Sequence, residues 1–230
     1  MRYGLPMANQ EWKLHTTDAP ANFAAVLTGD LIRSTTAGKD AVDGAMAVIQ
    51  DVAQTERDIS GKDVRFSRFR GDGWQIYAQD GSSVFRLTLL ILANLRHQSH
   101  LAQTRLAAAM GAVAFLPDAG LASATGEAFG LSGHGLDGMT TQRLEYDSNH
   151  PDAHWHRALF SYLDWQSSRW SAEQAEAVGL AFRNPSKPSH MLSESLGISR
   201  QAAQSRLKGA GYSPLWNANQ AFLSNQNATP

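Results

Sequence analysis

The sequence predicts an α+β fold, in which a βαββαβ domain over residues 22–147 is followed by a helical unit over residues 148–223. Three observations lead to this prediction. Apolar segments and helical patterns alternate in the order strand, helix, hairpin, helix, strand. A glycine-rich turn joins the two middle strands, and two short helical patterns near the end of the chain flank another glycine. Residues 1–21 are predicted to form an arm and residues 224–230 a frayed tail.

The predicted elements are a strand at 23–28, a helix after Gly38, hairpin strands at 64–69 and 74–78, a helix at 82–100, a strand at 106–115 and a helix from near Gly126. The strands are short and largely apolar, and Gly71-Asp72-Gly73 gives the backbone freedom that a tight turn needs. The helices repeat apolar residues at helical spacing, so each has a face to bury. This order predicts an antiparallel sheet with both helices on one face.

Composition excludes several classes of protein. The chain of 230 residues is 43% hydrophobic and carries 20 basic and 21 acidic residues, for a net charge of −1. It has no cysteine, which excludes disulfides, thiolate metal sites and cysteine nucleophiles. Its most apolar segment, 87–95, has about half of the ~20 residues that a membrane helix needs. We therefore expect a cytoplasmic protein without a membrane partner.

The helical unit begins with an aromatic segment. Trp155–Trp170 is predicted to be helical, and Ser171 is a candidate N-cap for the helix that follows. An interface between domains or between two copies explains Trp155, Tyr162, Trp165 and Trp170 better than base stacking does.

Residues 189–208 carry a helix-turn-helix pattern, in which a short helix ends at Leu196, Gly197 supplies a left-handed turn and Ser199 caps a second helix. In DNA-binding proteins with this layout, the second helix enters the major groove. Arg and Gln hydrogen-bond base edges, and Lys holds phosphates. The candidate DNA contacts are Arg200, Gln201, Gln204, Arg206 and Lys208.

The other interpretation of this pattern is a helical hairpin that serves only packing or dimerisation. Three basic residues on one helix are few for tight binding, so we expect double-stranded DNA to be bound by a homodimer that presents two such helices.

Two aspartates are candidate metal ligands. Asp30 follows the first strand and Asp72 lies in the hairpin turn, so the two carboxylates converge if those strands are neighbours. Paired carboxylates bind Mg²⁺ or Mn²⁺, and the metal would hold a nucleoside triphosphate. The loop Ile32-Arg33-Ser34-Thr35 opens a helix, where free N–H groups suit a phosphate. The alternative is that both aspartates are turn residues only.

These segments resemble class III nucleotide cyclases. GDLIRST (29–35) is similar to the family's first metal-binding element, and RFRGDGWQIY (68–77) to its Gly-Asp-Gly hairpin. The resemblance covers residue 23 to about residue 137. It implies a ferredoxin-like, cyclase-type palm domain, metal binding by Asp30 and Asp72, a phosphate loop at 32–35 and a site completed across a homodimer.

Departures from the family pattern lie in its catalytic half. Arg68 and Ser123 stand where such cyclases carry base-reading residues, and Gly130 and His134 where they carry the catalytic Asn and Arg. The resemblance thus implies nucleotide contacts at Arg68 and Ser123, with His134 as the candidate clamp. Because phosphoryl transfer depends on electrostatic stabilisation, and His is mostly charged only below its ordinary pKa of about 6.5, catalysis is expected to be altered or lost.

A narrower resemblance covers residues 23–212. A cyclase-like domain, then WSAEQ (170–174), then LGISRQAAQSRLKGAG (196–211) is the layout of SatD-like proteins. Three hypotheses follow: a regulator whose palm senses a nucleotide with Mg²⁺ and whose second unit binds DNA; a metal-dependent enzyme that makes a signalling nucleotide; and an interaction module with neither activity.

Overall fold

The computed structural model describes residues 23–69 and 71–224, so the predicted arm at 1–21 and the tail beyond Ser224 lie outside it. The strands are β1 Ala24–Leu31, β2 Val64–Arg68, β3 Gly73–Ala78, β4 Thr104–Gly111, β5 Val113–Phe115, β6 Thr125–Gly126 and β7 Leu144–Ser148. The helices are α1 Ser34–Ala37, α2 Lys39–Ser60, α3 Val84–His97, α4 Glu127–Gly138, α5 Ala153–Ser167, α6 Ala172–Arg183, α7 Pro188–Leu196, α8 Arg200–Ala210 and α9 Tyr212–Ser224.

β1 lies in the middle of a five-stranded sheet of order β2-β3-β1-β4-β7. It pairs antiparallel with both β3 and β4, and β2 pairs antiparallel with β3. This arrangement of four strands is the one expected of a βαββαβ unit, and the predicted α+β fold class is confirmed. The prediction of an antiparallel sheet is wrong at one edge, where β7 runs parallel to β4 after the crossover through α4.

Both faces of the sheet are covered by helices. Side chains alternate along β1, so Ala25 and Leu27 face α2 and α3, whereas Ala24 and Val26 face Ala128 of α4. The helices α2 and α3 cover one face, as predicted, and α4 covers the other. Burial on both sides explains why β1 is a continuous apolar segment rather than an alternating one.

The core between the sheet and α3 continues into the C-terminal helices. Phe160 of α5 and Phe222 of α9 belong to the same buried cluster as the sheet residues. Trp170 joins the two parts of the chain, because its indole N–H donates to the Ala210 carbonyl at 2.9 Å and its own carbonyl accepts from Arg96 of α3 at 2.8 Å. The two predicted units therefore share one hydrophobic core.

The strand predicted at 106–115 is in fact two strands. β4 ends at Gly111, and β5 pairs with β6 in a separate small sheet. The start of α4 causes the break: the Glu127 carboxylate accepts from the Ala112 N–H at 3.1 Å, and the Ala128 N–H donates to the Ala112 carbonyl at 3.4 Å. A Cβ at Gly111 would lie 2.7 Å from the Glu127 carboxylate, so glycine permits this approach.

The sequence analysis missed β7 and α9. Burial alternates along β7, where Leu144 and Tyr146 point inward, and the alternating letters LEYDS were the available signal. α9 begins directly after Gly211, which is left-handed at φ 75°, and Pro214 is tolerated in its first turn. In the described part of the chain, no helix combines the length and hydropathy needed to cross a membrane.

Candidate functional site

Asp30 and Asp72 lie at the same end of two hydrogen-bonded strands. Asp30 is opposite Gly73 in the register of β1 and β3, and the Leu31 N–H donates to the Asp72 carbonyl at 3.2 Å. Gly71, at φ 78°, makes the hairpin turn that carries Asp72. The structure thus brings the two predicted metal ligands to one end of the sheet.

Each of these carboxylates has a partner within the chain. Asp30 accepts hydrogen bonds from Nε and Nη2 of Arg105 on β4, both at 2.8 Å. Asp72 accepts a hydrogen bond from the Ser34 hydroxyl. The hydrogen bond to Asp30 is the main reason why the pKa of Arg105 is raised, and the charges of Asp30, Asp137 and Asp72 act in the same direction. Arg105 thus places a guanidinium among the carboxylates of Asp30, Asp72 and Asp137.

The sequence analysis missed Arg105, although it brings a positive charge to Asp30. Its guanidinium holds a carboxylate by both oxygens, which is the strongest geometry for such a pair. The side chains of Arg105 and Asp30 are nevertheless 37% and 27% exposed, and solvent-accessible ion pairs contribute only about 0–1 kcal/mol. A charged ligand can therefore displace or share this contact at little cost.

The loop at residues 32–35 leaves β1 beside the two carboxylates. The Ile32 N–H donates to the Gln103 carbonyl at 2.7 Å, and Arg33 takes a left-handed conformation at φ 55°. The next N–H with a backbone acceptor belongs to Thr36, which donates to the Arg33 carbonyl at 3.0 Å. Within the described residues, the N–H groups at 33–35 have no backbone acceptor, so they are available to an anion.

Arg68 does not face the two carboxylates as a free cation. Its guanidinium donates to Asp43 of α2 at 2.8 Å and to the Gly71 carbonyl at 3.2 Å. It therefore ties the hairpin turn to α2. The pKa of Asp43 is lowered by its hydrogen bonds from Lys39 and Arg68.

Ser123 and His134 lie on other elements. Ser123 is exposed in the turn before β6, and His134 is exposed on α4. The inner side of α4 faces β1 through Ser132, whose hydroxyl is 2.8 Å from that of Thr28. Among the described residues, no hydrogen bond or ion pair joins Ser123 or His134 to the aspartates of the same chain.

The donor set can be compared with the needs of a divalent cation. The described residues contain no cluster of three or more His, Asp or Glu side chains arranged to hold a metal. Mg²⁺ in nucleotide sites commonly takes one or two carboxylates and completes its shell with phosphates and waters. Two carboxylates at one end of the sheet would be enough for that mode of binding, provided that a nucleotide supplied part of the shell and Arg105 gave up or shared Asp30.

The helices and the turn predicted near the C-terminus are present as α7, Gly197–Ser199 and α8. Gly197 is left-handed at φ 62°, and the Ser199 hydroxyl accepts from the Ala202 N–H at 3.1 Å. α6, α7 and α8 enclose a small core of their own, made by Ala177, Ala181, Leu192, Ala203 and Leu207.

α8 buries one face in that core and exposes the other. Four of the five predicted DNA contacts are exposed: Arg200, Gln201, Gln204 and Lys208. Arg206 is the exception, because its guanidinium donates to Glu176 of α6 at 3.1 Å. The other oxygen of that carboxylate is 3.7 Å from Nε2 of His97 on α3. Arg206 is thus held between helices.

Comparisons with known proteins give partial structural similarity. No protein-family model and no curated protein sequence matches the chain. Two structures of a bacterial light-regulated adenylyl cyclase are similar to it at 16% identity, with TM-scores of 0.39 and 0.40. The match to the first structure covers 54% of this chain but only 42% of the cyclase chain. The match to the second covers 65% of this chain and 81% of the cyclase chain. The guanylyl cyclase Cya2 is similar at 14% identity and a TM-score of 0.36, over 54% of this chain and 74% of its own. Similarity at this level assigns no activity.

Proposed function

We propose that the carboxylate end of the sheet binds a nucleoside triphosphate with Mg²⁺ or Mn²⁺, and that the chain uses this site to regulate DNA binding by α8. The observation that carries the first half is the position of Asp30 and Asp72 at the same end of paired strands, beside a loop whose N–H groups at 33–35 have no backbone acceptor among the described residues. Carboxylates suit the cation and N–H groups suit the phosphates. The resemblance of residues 29–35 and 68–77 to class III cyclases supports the same assignment.

The roles of the residues follow from their positions. Asp30 and Asp72 would hold the cation, which would neutralise phosphate charge when bound. The N–H groups at 33–35 would contact phosphate oxygens. Arg105 is placed to pass from Asp30 to a phosphate oxygen, since a guanidinium binds carboxylate and phosphate with the same bidentate geometry. Arg105 then exchanges one anion for another and is never left unpaired.

Replacing either aspartate by asparagine is expected to weaken nucleotide binding in the presence of Mg²⁺. Asp72→Asn keeps an oxygen for the Ser34 hydroxyl but loses the charge that the cation needs. We expect at least about a tenfold loss of affinity, or ~1.4 kcal/mol, in calorimetric titrations with ATP and with GTP.

Arg105→Gln frees Asp30 and is expected to raise the affinity for Mn²⁺ alone, measured by electron paramagnetic resonance.

Asp58→Asn is the matched control, because it removes an exposed carboxylate from the far end of α2 and should leave both affinities unchanged. The proposal fails if the unmodified chain binds neither nucleotide, or if Asp30→Asn and Asp72→Asn bind as tightly as the unmodified chain.

The second half of the proposal, DNA binding by α8, is supported by the exposed face of that helix. Arg200, Gln201, Gln204 and Lys208 offer donors to base edges and phosphates. A route from the palm also exists, because α3 contacts both the Trp170 carbonyl through Arg96 and the Glu176 carboxylate that holds Arg206. A nucleotide that favours one arrangement of these helices would change the affinity for DNA.

The double variant Arg200→Ala/Lys208→Ala is expected to bind a labelled random-sequence DNA duplex about tenfold more weakly. Two lost phosphate contacts should also lower the slope of log affinity against log salt by about two. Fluorescence anisotropy at several salt concentrations measures both quantities. Arg57→Ala/Lys62→Ala removes the same charge from the last turn of α2 and the exposed residues directly after it, and should change the slope by much less. Equal effects of the two double variants would mean that only net charge matters, and α8 would lose its assignment.

An active nucleotide cyclase is the alternative function that the same carboxylates would serve. Incubation with Mn²⁺ and each nucleoside triphosphate separates the two functions. If a cyclic nucleotide forms with the unmodified chain and no longer forms with Asp30→Ala, the protein is an enzyme and not only a sensor. His134→Ala would then test whether His134 is the clamp that the cyclase resemblance implies.

A further inference from the structure

α5 carries an apolar stripe that nothing in the described chain covers. Its buried side packs Phe160 and Leu163 into the core. On the opposite side, Trp155, Tyr162 and Trp165 are 65%, 42% and 51% exposed, although large aromatic side chains are usually buried. These residues belong to the outer stripe of α5, which we define as Trp155, Ala158, Tyr162, Trp165 and, in the turn directly after the helix, Arg169.

The outer stripe has the spacing of a helix–helix contact. Its members follow one another at intervals of three and four residues, so they form one row along the helix. The row is pre-ordered, because the rings of Tyr162 and Trp165 stack at 5.9 Å and the Arg169 guanidinium lies 4.1 Å from the centre of the Trp165 ring. A row of ordered aromatic side chains on a helix favours a helical partner over an irregular one.

We propose that the outer stripe of α5 binds the same stripe of a second copy of this chain, with the two helices antiparallel about a twofold axis near Tyr162. Tyr162 is the midpoint of the row, seven residues from each end. An antiparallel pair therefore places Tyr162 against its own counterpart, small Ala158 close to large Trp165, and Trp155 close to Arg169. Large residues meet small ones and a cation meets an aromatic ring, so the stripe is complementary to itself.

Charge at the ends of α5 agrees with this pairing. Asp152, whose side chain is 44% exposed, precedes the helix, and Arg169 follows it. Antiparallel helices bring each Asp152 near the Arg169 of the other copy, which is attractive, whereas parallel helices would place like charges together. At each end of the stripe, the second copy therefore places a side chain of opposite charge.

The size of the stripe indicates a weak dimer. The row is about 21 Å long, and its three aromatic side chains offer roughly 300 Å² per copy, given that a whole aromatic side chain buries 150–250 Å². Two such stripes together bury roughly 600 Å², which is below the ~1,200–2,000 Å² of stable interfaces. We expect dissociation in the micromolar range.

Sedimentation velocity between about 1 and 200 μM tests the pairing. The unmodified chain should pass from monomer to dimer in this range, and Tyr162→Arg, which puts two cations on the twofold axis, should weaken association at least tenfold. Gln54→Arg adds the same charge on the exposed face of α2 and should leave association unchanged. A chain that stays monomeric, or a Tyr162→Arg variant that dimerises as well as Gln54→Arg, overturns the proposal.

Single introduced cysteines test the orientation, since the chain has no cysteine of its own. Antiparallel helices bring Ala158→Cys of one copy close to Trp165→Cys of the other, but hold two Ala158→Cys residues about 12 Å apart along the axis. A mixture of the two variants should therefore form the mixed disulfide at least ten times faster than Ala158→Cys forms its own. Faster self-linkage of Ala158→Cys would mean parallel helices and would contradict the proposed twofold axis.

Discussion

Trp170→Ala is expected to lower the free energy of unfolding by about 3–5 kcal/mol, the usual cost of removing a fully buried tryptophan. The side chain is only 1% exposed and belongs to the core that the sheet and the C-terminal helices share. The substitution also leaves the Ala210 carbonyl without the indole N–H that donates to it. Urea unfolding followed by circular dichroism measures the loss.

Trp165→Ala is the matched control for this prediction. It removes the same side chain from the same stretch of sequence, but at a position that is 51% exposed. Measured at low protein concentration, where association does not contribute, its effect should stay below about 1 kcal/mol. If the two variants lost equal stability, Trp170 would not join the sheet and the C-terminal helices in the way described.

Gly29→Ala is expected to cost about 1–3 kcal/mol, although it adds a single methyl group. The new Cβ would lie 2.4 Å from the Trp74 ring and 2.7 Å from the Arg105 carbonyl, and neither can easily move. Trp74 is fully buried and its indole N–H is hydrogen-bonded to Thr104, while the carbonyl is part of β4. Because Asp30 is the next residue, the displacement of β1 should also weaken nucleotide binding.

Gly130→Ala adds the same methyl group but is expected to raise the free energy of unfolding instead of lowering it. A Cβ at this position on α4 meets nothing within 4 Å, so only the gain in helix propensity remains. The variant should be more stable by about 0.5–1 kcal/mol. Thermal unfolding of both variants gives the comparison, and a stable Gly29→Ala would mean that β1 and Trp74 pack less closely than described.

Local patterns predicted most of the palm because its elements are strongly patterned. The apolar segment that ends at Asp30, the Gly71–Gly73 turn and the long apolar helix α3 each carry their own signal. β7 and the end of β4 carry a weaker one, since they depend on where α4 begins and on its contact with Ala112. Those contacts join residues of different elements, so no strong local pattern in the sequence predicts them.

The candidate site shows the same division. The sequence predicts Asp30 and Asp72 as metal ligands, because each is an aspartate next to a glycine at the end of a strand or in a turn. It does not predict the partner of Asp30, because Arg105 lies 75 residues away and reaches Asp30 only through the pairing of β1 and β4. Residue type alone predicts Arg206 as a DNA contact. Its bond to Glu176 depends on how α6 crosses α8, which no spacing within α8 encodes.

The order of the sheet also bears on how the protein avoids aggregation. Its two edge strands, β2 and β7, are short, and each has one side without a neighbouring strand in the described sheet, where a strand of another chain could pair and extend the sheet. Charged side chains on these edges make such extension costly, and their partners lie in the same molecule: Arg65 is bound by Asp63, and Asp147 by Arg157. Without these ion pairs, the basic edge at β2 of one molecule would attract the acidic edge at β7 of another, and the two sheets could join edge to edge. Because these ion pairs form within one molecule, they remove that attraction between the edges of two molecules.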